Sequence, residues 1–154
     1  MEGTSVSIFG SLLTNRVRKG TSLEKLVLKP KIVLLCGGPF AYRSLSALAY
    51  TNYLSGVIIG TSDLQISTLL KSECEKSKIP FLSIESNHET ELMDNWLENH
   101  QPDAVFSICF PFRLSHKTLS INPIKFINFH LGPLPQYRGP MPIFEVLRNQ
   151  ENDD

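Results

Sequence analysis

The chain has 154 residues, 42 % of them hydrophobic and 19 % charged, which is enough apolar material for one domain with a sizeable core. Fifteen basic and fifteen acidic residues cancel, so the sequence carries no overall electrostatic footprint for non-specific nucleic-acid binding. There is no apolar run of about 18 residues, as a spanning helix needs, and no signal-peptide core at the amino terminus, so a cytoplasmic protein with no membrane partner is expected.

Residues 1–29 form a segment of their own, an N-terminal extension. Ser5–Phe9 reads as a short strand and Ser22–Leu28 as a short helix, before Pro30 interrupts. A packed arm and a partly disordered lead-in both suit this composition, and no chemistry is assigned to it. Arg16, Arg18 and Lys19 among Ser and Thr hint at a transit peptide, which Glu2 and the late first base oppose.

From Lys31 the pattern becomes alternating. Ile32–Cys36 is a continuous apolar run, the mark of a strand buried on both faces. Gly37-Gly38-Pro39 turns the chain into a helix over about 40–52, with Leu45, Leu48 and Ala49 inward. Leu54–Gly60 is a second buried strand and Leu64–Ser77 a helix. After Pro80, Phe81–Ile84 is a third strand. Glu89–Asn99 is a helix with Leu92, Trp96 and Leu97 on one face. Ala104–Cys109 is a fourth strand, Ser115–Leu119 a short helix, Lys125–His130 a fifth strand, and Ile143–Asn149 the last helix. No internal repeat is present.

Apolar strands alternating with helices specify an α/β, Rossmann-like fold, a mostly parallel sheet with helices on both faces. Ligands of such sheets bind beyond the carboxyl ends of the strands, where the strand order reverses. Gly37–Pro39, Cys109–Leu114 and His130–Gly139 all follow strands and are expected to converge on one crevice.

The three cysteines, Cys36, Cys74 and Cys109, include no Cys-x-x-Cys and no Cys/His cluster, which argues against a disulfide framework or a metal site. Cys36 and Cys109 end apolar runs and read as buried free thiols at strand ends. Cys74 lies in a helical pattern with no visible partner. His88, His100 and His116 read as surface histidines near element ends. Gly37-Gly38 lacks the third glycine of a dinucleotide fingerprint, so a nicotinamide site is disfavoured; the turn is either a tight turn alone or an anion-facing one at a helix start.

The strand end at Asn128-Phe129-His130 is the main chemical candidate. In a strand, residues two apart share a face, so Asn128 and His130 point one way and Ile127, Phe129 and Leu131 the other. An amide and an imidazole side by side can donate to one developing oxyanion; a hydrogen-bonded structural histidine is the alternative. Gly132, Pro133, Pro135, Gly139 and Pro140 then give the loop a fixed irregular path, and held loops tend to carry function.

Asn128-x-His130, followed by Pro133-Leu134-Pro135-x-Tyr137-Arg138-Gly139-x-x-Pro142, resembles the signature of the folate-dependent formyltransferases. Gly132-Pro133 stands where Ser-Leu is common in that family. Phe112-Arg113-Leu114-Ser115 resembles the loop that contacts the pterin, and Lys31 to Pro39 the first strand and turn. The resemblance covers roughly residues 30–150, and residues 30–154 are expected to form the amino-terminal part of the catalytic domain.

The resemblance implies formyl transfer from 10-formyltetrahydrofolate to a primary amine, with no metal. Asn128 and His130 would stabilise the tetrahedral oxyanion. Phe112, Arg113 and Leu114 would hold the folate donor. Gly37, Gly38, Pro39 and Arg138 would face the acceptor, with Arg138 equally able to hold the loop together. The acceptor would be an aminoacyl-tRNA or a small amine such as a nucleotide amino sugar. The family also uses an aspartate some tens of positions after the histidine, and the sequence given stops at Asp154 before any such residue. Impaired activity of the isolated chain is therefore expected, by about 10⁴ where a triad carboxylate is lost. A non-catalytic folate- or nucleotide-binding module that kept the fold is the competing expectation. An unrelated Rossmann-like nucleotide binder is disfavoured by the missing glycine fingerprint.

Overall fold

The computed structural model describes residues 29–138 and 142–150. The strand expected at residues 5–9 and the helix expected at 22–28 lie outside the described residues, and so does most of the expected N-terminal extension. Five strands and five α-helices follow one another: β1 (Ile32–Cys36), α1 (Ala41–Ala49), β2 (Leu54–Gly60), α2 (Leu64–Lys76), β3 (Phe81–Ile84), α3 (Thr90–His100), β4 (Ala104–Ile108), α4 (His116–Leu119), β5 (Lys125–Phe129) and α5 (Pro142–Gln150). A short 3₁₀ turn at Asn87–Glu89 leads into α3.

The strands form one parallel sheet in the order β3-β2-β1-β4-β5. The chain fills one side of β1 first and then crosses to the other, so the order reverses between β1 and β4. All five residues of β1 are buried, which is why that run carries no polar side chain. Ile32, Leu34 and Cys36 face α1 and α2 through Leu45, Leu70 and Cys74. Val33 and Leu35 face α3 through Met93 and Leu97. Each buried aliphatic side chain of this kind contributes on the order of 1.5–3 kcal/mol of burial free energy. Asp63 fixes the start of α2, its carboxylate accepting the N–H groups of Gln65 at 2.8 Å and Ile66 at 3.1 Å.

The structure departs from the sequence reading at several ends. Helix α1 stops at Ala49 rather than near 52, because Thr51 turns back to bond the Leu48 carbonyl through both N–H and hydroxyl. On α3 the buried stripe runs through Met93 and Leu97, and Leu92, one step round the helix, is 55 % exposed. Strand β4 ends at Ile108, since Cys109 takes a left-handed backbone with φ of 52° that breaks the ladder. Cys109 is accordingly half-buried rather than buried, whereas Cys36 and Cys74 are fully buried; all three are free thiols. His88 and His116 are exposed. His100 is not a bare surface residue: its Nδ1–H donates to the Trp96 carbonyl at 2.9 Å and its ring stacks on Trp96. No helix among the described residues is long and apolar enough to cross a membrane.

Candidate active site

Three loops leave the carboxyl ends of the strands next to the order reversal. The loop after β1 is pressed against its neighbours. A Cβ added at Gly37 would lie 1.9 Å from the Gly60 carbonyl oxygen at the end of β2 and 2.7 Å from Cδ of Pro111. One added at Gly38 would lie 3.0 Å from Cβ of Cys109. Side chains are absent here because the backbones of two strands and the β4 loop meet, not because any described glycine needs a positive φ. Pro39 and Phe40 project outward ahead of α1, and the Gly38 carbonyl accepts the Ala41 N–H.

The loop after β4 is tied down from below. Phe110 and Phe112 pair edge to face with centroids 5.7 Å apart, and both rings lie over Gly60. Phe112 and Leu114 pack on the α3 side of the sheet. The Arg113 N–H donates to Oδ1 of Asn87 at 3.2 Å, which takes that donor out of use, while the Arg113 side chain is exposed. Among the described residues, the peptide groups of Phe112 and Leu114 enter no hydrogen bond. Free peptide donors and acceptors alternating with half-buried apolar side chains suit the hydrogen-bonding edge of a flat heterocycle such as a pterin.

The third loop follows β5. Asn128 pairs in register with Ser107, while Phe126 and Ile127 pack on opposite faces of the sheet. Phe129 meets Phe106 edge to face on the α1 side, so Asn128 lies on the α3 side, the side of Phe112 and Leu114. Its amide is exposed and makes no hydrogen bond among the described residues. Strand β5 ends at Phe129, one residue earlier than the sequence reading. His130 therefore belongs to the turn, and strand alternation does not orient it. Its Nε2 bonds the Tyr137 carbonyl. A carbonyl only accepts, so Nε2 carries the hydrogen and Nδ1 is left for other partners.

The loop closes on itself around that contact. The Tyr137 N–H donates to the Pro133 carbonyl at 3.0 Å, and Nε of Arg138 to the Pro135 carbonyl at 2.9 Å. Arg138 thus holds the loop, with the rest of an exposed guanidinium turned to solvent. Gly132 is squeezed between Pro142 and Tyr137, where an added Cβ would lie 2.7 and 3.0 Å from their Cβ atoms. Gly139, Pro140 and Met141 lie outside the described residues.

The contacts join Gly37 and Gly38 to Cys109 and Pro111 directly. His130 enters beside them through the pairing of β4 with β5, without a hydrogen bond to Asn128. Among the described residues, no group of three His, Cys, Asp or Glu side chains is placed to hold a metal ion. A groove of about 510 Å³ lies at the opposite end of the sheet, lined by Gln101, Asp103, Ser120 and Ile121 among others.

No protein-family profile matches the chain. The methionyl-tRNA formyltransferase of Thermotoga maritima is 34 % identical over 84 residues, 54 % of this chain and 26 % of that protein. That of a Sulfurihydrogenibium species is 31 % identical over 123 residues, 75 % of this chain and 40 % of that protein. The chain belongs to the formyltransferase family. It covers only 26 % and 40 % of the length of these two formyltransferases. Solved formyltransferases share its fold. The phosphoribosylglycinamide formyltransferase of Anaplasma phagocytophilum matches with a TM-score of 0.64 at 19 % identity, covering 79 % of this chain and 59 % of that one. The enzyme of Streptococcus pneumoniae matches with 0.63 at 17 % identity, covering 78 % and 67 %.

Sequence reasoning missed the residues that anchor the loop after β4. Asn87 and Asp94 attracted no attention, although Asp94 is buried on α3 beside Met93 and Leu97.

Proposed function

We propose that residues 30–154 form the amino-terminal part of a catalytic domain that transfers a formyl group from 10-formyltetrahydrofolate to a primary amine, with residues 1–29 as an extension outside it. The observation that carries this reading is the meeting of three conformationally restricted loops at the sheet reversal of a formyltransferase-family chain, with the exposed amide of Asn128 at the end of β5.

The donor supplies an activated formyl group. In this reading the peptide groups of Phe112 and Leu114 hold the pterin edge, with the Leu114 side chain against the ring. The Phe112 ring belongs to the sheet packing, and Arg113 contributes only its side chain because Asn87 occupies its N–H. The turn Gly37-Gly38-Pro39 and the exposed guanidinium of Arg138 face the acceptor. Nδ2 of Asn128 donates to the formyl oxygen as negative charge develops there, a contribution on the order of 3 kcal/mol. With Nε2–H given to Tyr137, His130 acts through Nδ1. That nitrogen takes the proton the attacking amine must lose and returns it to the departing nitrogen. The relatives named above favour an aminoacyl-tRNA acceptor over a small amine.

Formyl transfer tests the reading, with 10-formyltetrahydrofolate as donor and methionyl-tRNA or an amino sugar nucleotide as acceptor. Turnover should fall about 10²–10³-fold in Asn128→Ala, and His130→Ala should abolish it. A chain that binds the donor and still transfers nothing when complemented with the carboxyl-terminal part of a formyltransferase relative is the non-catalytic module instead.

A further inference from the structure

The loop after β4 is fastened at its middle and at its far end by the 3₁₀ turn before α3 and by α3 itself. At its middle, the Arg113 N–H is held by Oδ1 of Asn87 at 3.2 Å, and the Asn87 carbonyl in turn accepts the hydroxyl of Thr90, the first residue of α3, at 2.8 Å. At its far end the fastening runs one turn further along α3. Oγ1 of Thr118 donates to Oδ1 of Asp94 at 2.7 Å, and Oγ of Ser115 lies 2.8 Å from Oγ1 of Thr118. Thr118 has one hydroxyl hydrogen, and the Asp94 carboxylate takes it. The Ser115 hydroxyl must then donate to Thr118, while Oγ of Ser115 accepts the Thr118 N–H at 3.0 Å and caps α4. Every donor in the chain Ser115 → Thr118 → Asp94 has one defined direction.

Asp94 is 3 % exposed and Thr118 is fully buried. Lys117, on the solvent side of α4, approaches the second carboxylate oxygen at 3.7 Å. An aliphatic side chain between Met93 and Leu97 would fill this position without a desolvation cost. What a carboxylate adds is direction: it holds α4 against α3 in one register, and with it the residue where the loop ends.

We propose that Asp94, acting through Thr118 and Ser115, is a positioning residue for the loop 110–114, and that it sets the peptide groups of Phe112 and Leu114 for the folate donor. The second half of this inference rests on the donor-loop reading above; the first half does not.

The test uses Asp94→Asn, Thr118→Val, which keeps the shape and removes the hydroxyl, and Thr118→Ser, which keeps the hydroxyl. Two readouts are taken on each: binding of 5-formyltetrahydrofolate, and amide hydrogen exchange. Asp94→Asn and Thr118→Val should weaken folate binding about tenfold and speed exchange at Arg113, the loop amide held by a hydrogen bond, at least tenfold, with β1 and β4 amides unchanged. Thr118→Ser should restore both. Asn87→Ala removes the other tether from an exposed site, so it keeps the fold and should speed exchange at Arg113 alone. Unchanged loop exchange overturns the proposal, and so does a rise shared equally by loop and sheet, which marks a merely structural role. If the wild-type chain fails to bind folate, the donor reading falls, and loop exchange alone still decides whether Asp94 positions the loop.

Discussion

Replacing Gly37 by alanine puts the convergence of the loops under direct strain. The new methyl would begin 1.9 Å from the Gly60 carbonyl oxygen and 2.7 Å from the Pro111 ring. Neither obstacle can rotate away. The carbonyl belongs to the end of β2, whose register with β1 runs up to Cys36 and Ile59, and the proline ring is rigid. Relief of more than 1 Å therefore requires the ends of β1 and β2 and the β4 loop to separate. Overpacking costs about 1–3 kcal/mol, and two immovable neighbours place Gly37→Ala near the upper figure, about 3 kcal/mol. For a chain of this size that lowers Tm by about 6–12 °C. Gly38→Ala is the control. Its methyl would sit 3.0 Å from Cβ of Cys109, a contact that a small shift relieves, at a cost of about 1 kcal/mol or less. Urea unfolding of both variants, with unchanged m values, measures the difference. A Gly37→Ala protein as stable as the wild type, or less perturbed than Gly38→Ala, would refute the packing argument.

Gly132→Ala should cost about 1–3 kcal/mol by driving the loop off Pro142, and should loosen the His130–Tyr137 contact; NMR of the imidazole protons reports the second effect while the sheet amides stay in place. Ser83 carries a buried hydroxyl with no hydrogen-bond partner among the described residues, so Ser83→Ala should leave stability unchanged or raise it by up to about 1 kcal/mol in chemical denaturation. Burial pushes the Cys74 thiol from 9.0 up to about 12, with Glu73 and Glu75 adding to the rise, and burial raises Cys36 in the same direction. Between these limits the folded chain holds more protons than the unfolded one, so stability is intact below pH 9 and falls as pH rises toward 12. Thermal unfolding from pH 8 upward should show that decline, and Cys74→Ala should lessen it, with buried Cys36 keeping the rest.

The strands were legible because three of the five are flanked by neighbours on both edges, and β1 and the Val57–Ile59 part of β2 read as unbroken apolar runs. Their ends were less so. Cys109 looks like one more apolar strand residue, yet its backbone turns left-handed where it lies against Gly38, a neighbour 71 positions away in sequence. Leu92 and Leu97 both suit a helix face, and only the placement of Met93 against β1 decides which one is buried. Asn128 could be read from strand alternation. His130 could not be oriented, because β5 stops at Phe129 and the imidazole follows the path by which Tyr137 returns. Pro133, Pro135 and Gly132 announce a restricted loop without saying where it folds back. Asp94 was missed because a polar residue on an amphipathic helix is ordinarily solvent-facing, and its partner Thr118 lies on a four-residue helix with little periodicity of its own.

The location of the site is the central claim, and a titration of the isotope-labelled chain with 5-formyltetrahydrofolate, followed through backbone amide shifts, tests it most directly. The account predicts saturable shifts at Gly38, Phe112, Leu114, Asn128 and His130, around the carboxyl ends of β1, β4 and β5, and none at Gln101, Ser120 and Ile121. Shifts confined to those last three residues, in the groove at the opposite end of the sheet, would contradict it, and so would the absence of any saturable shift.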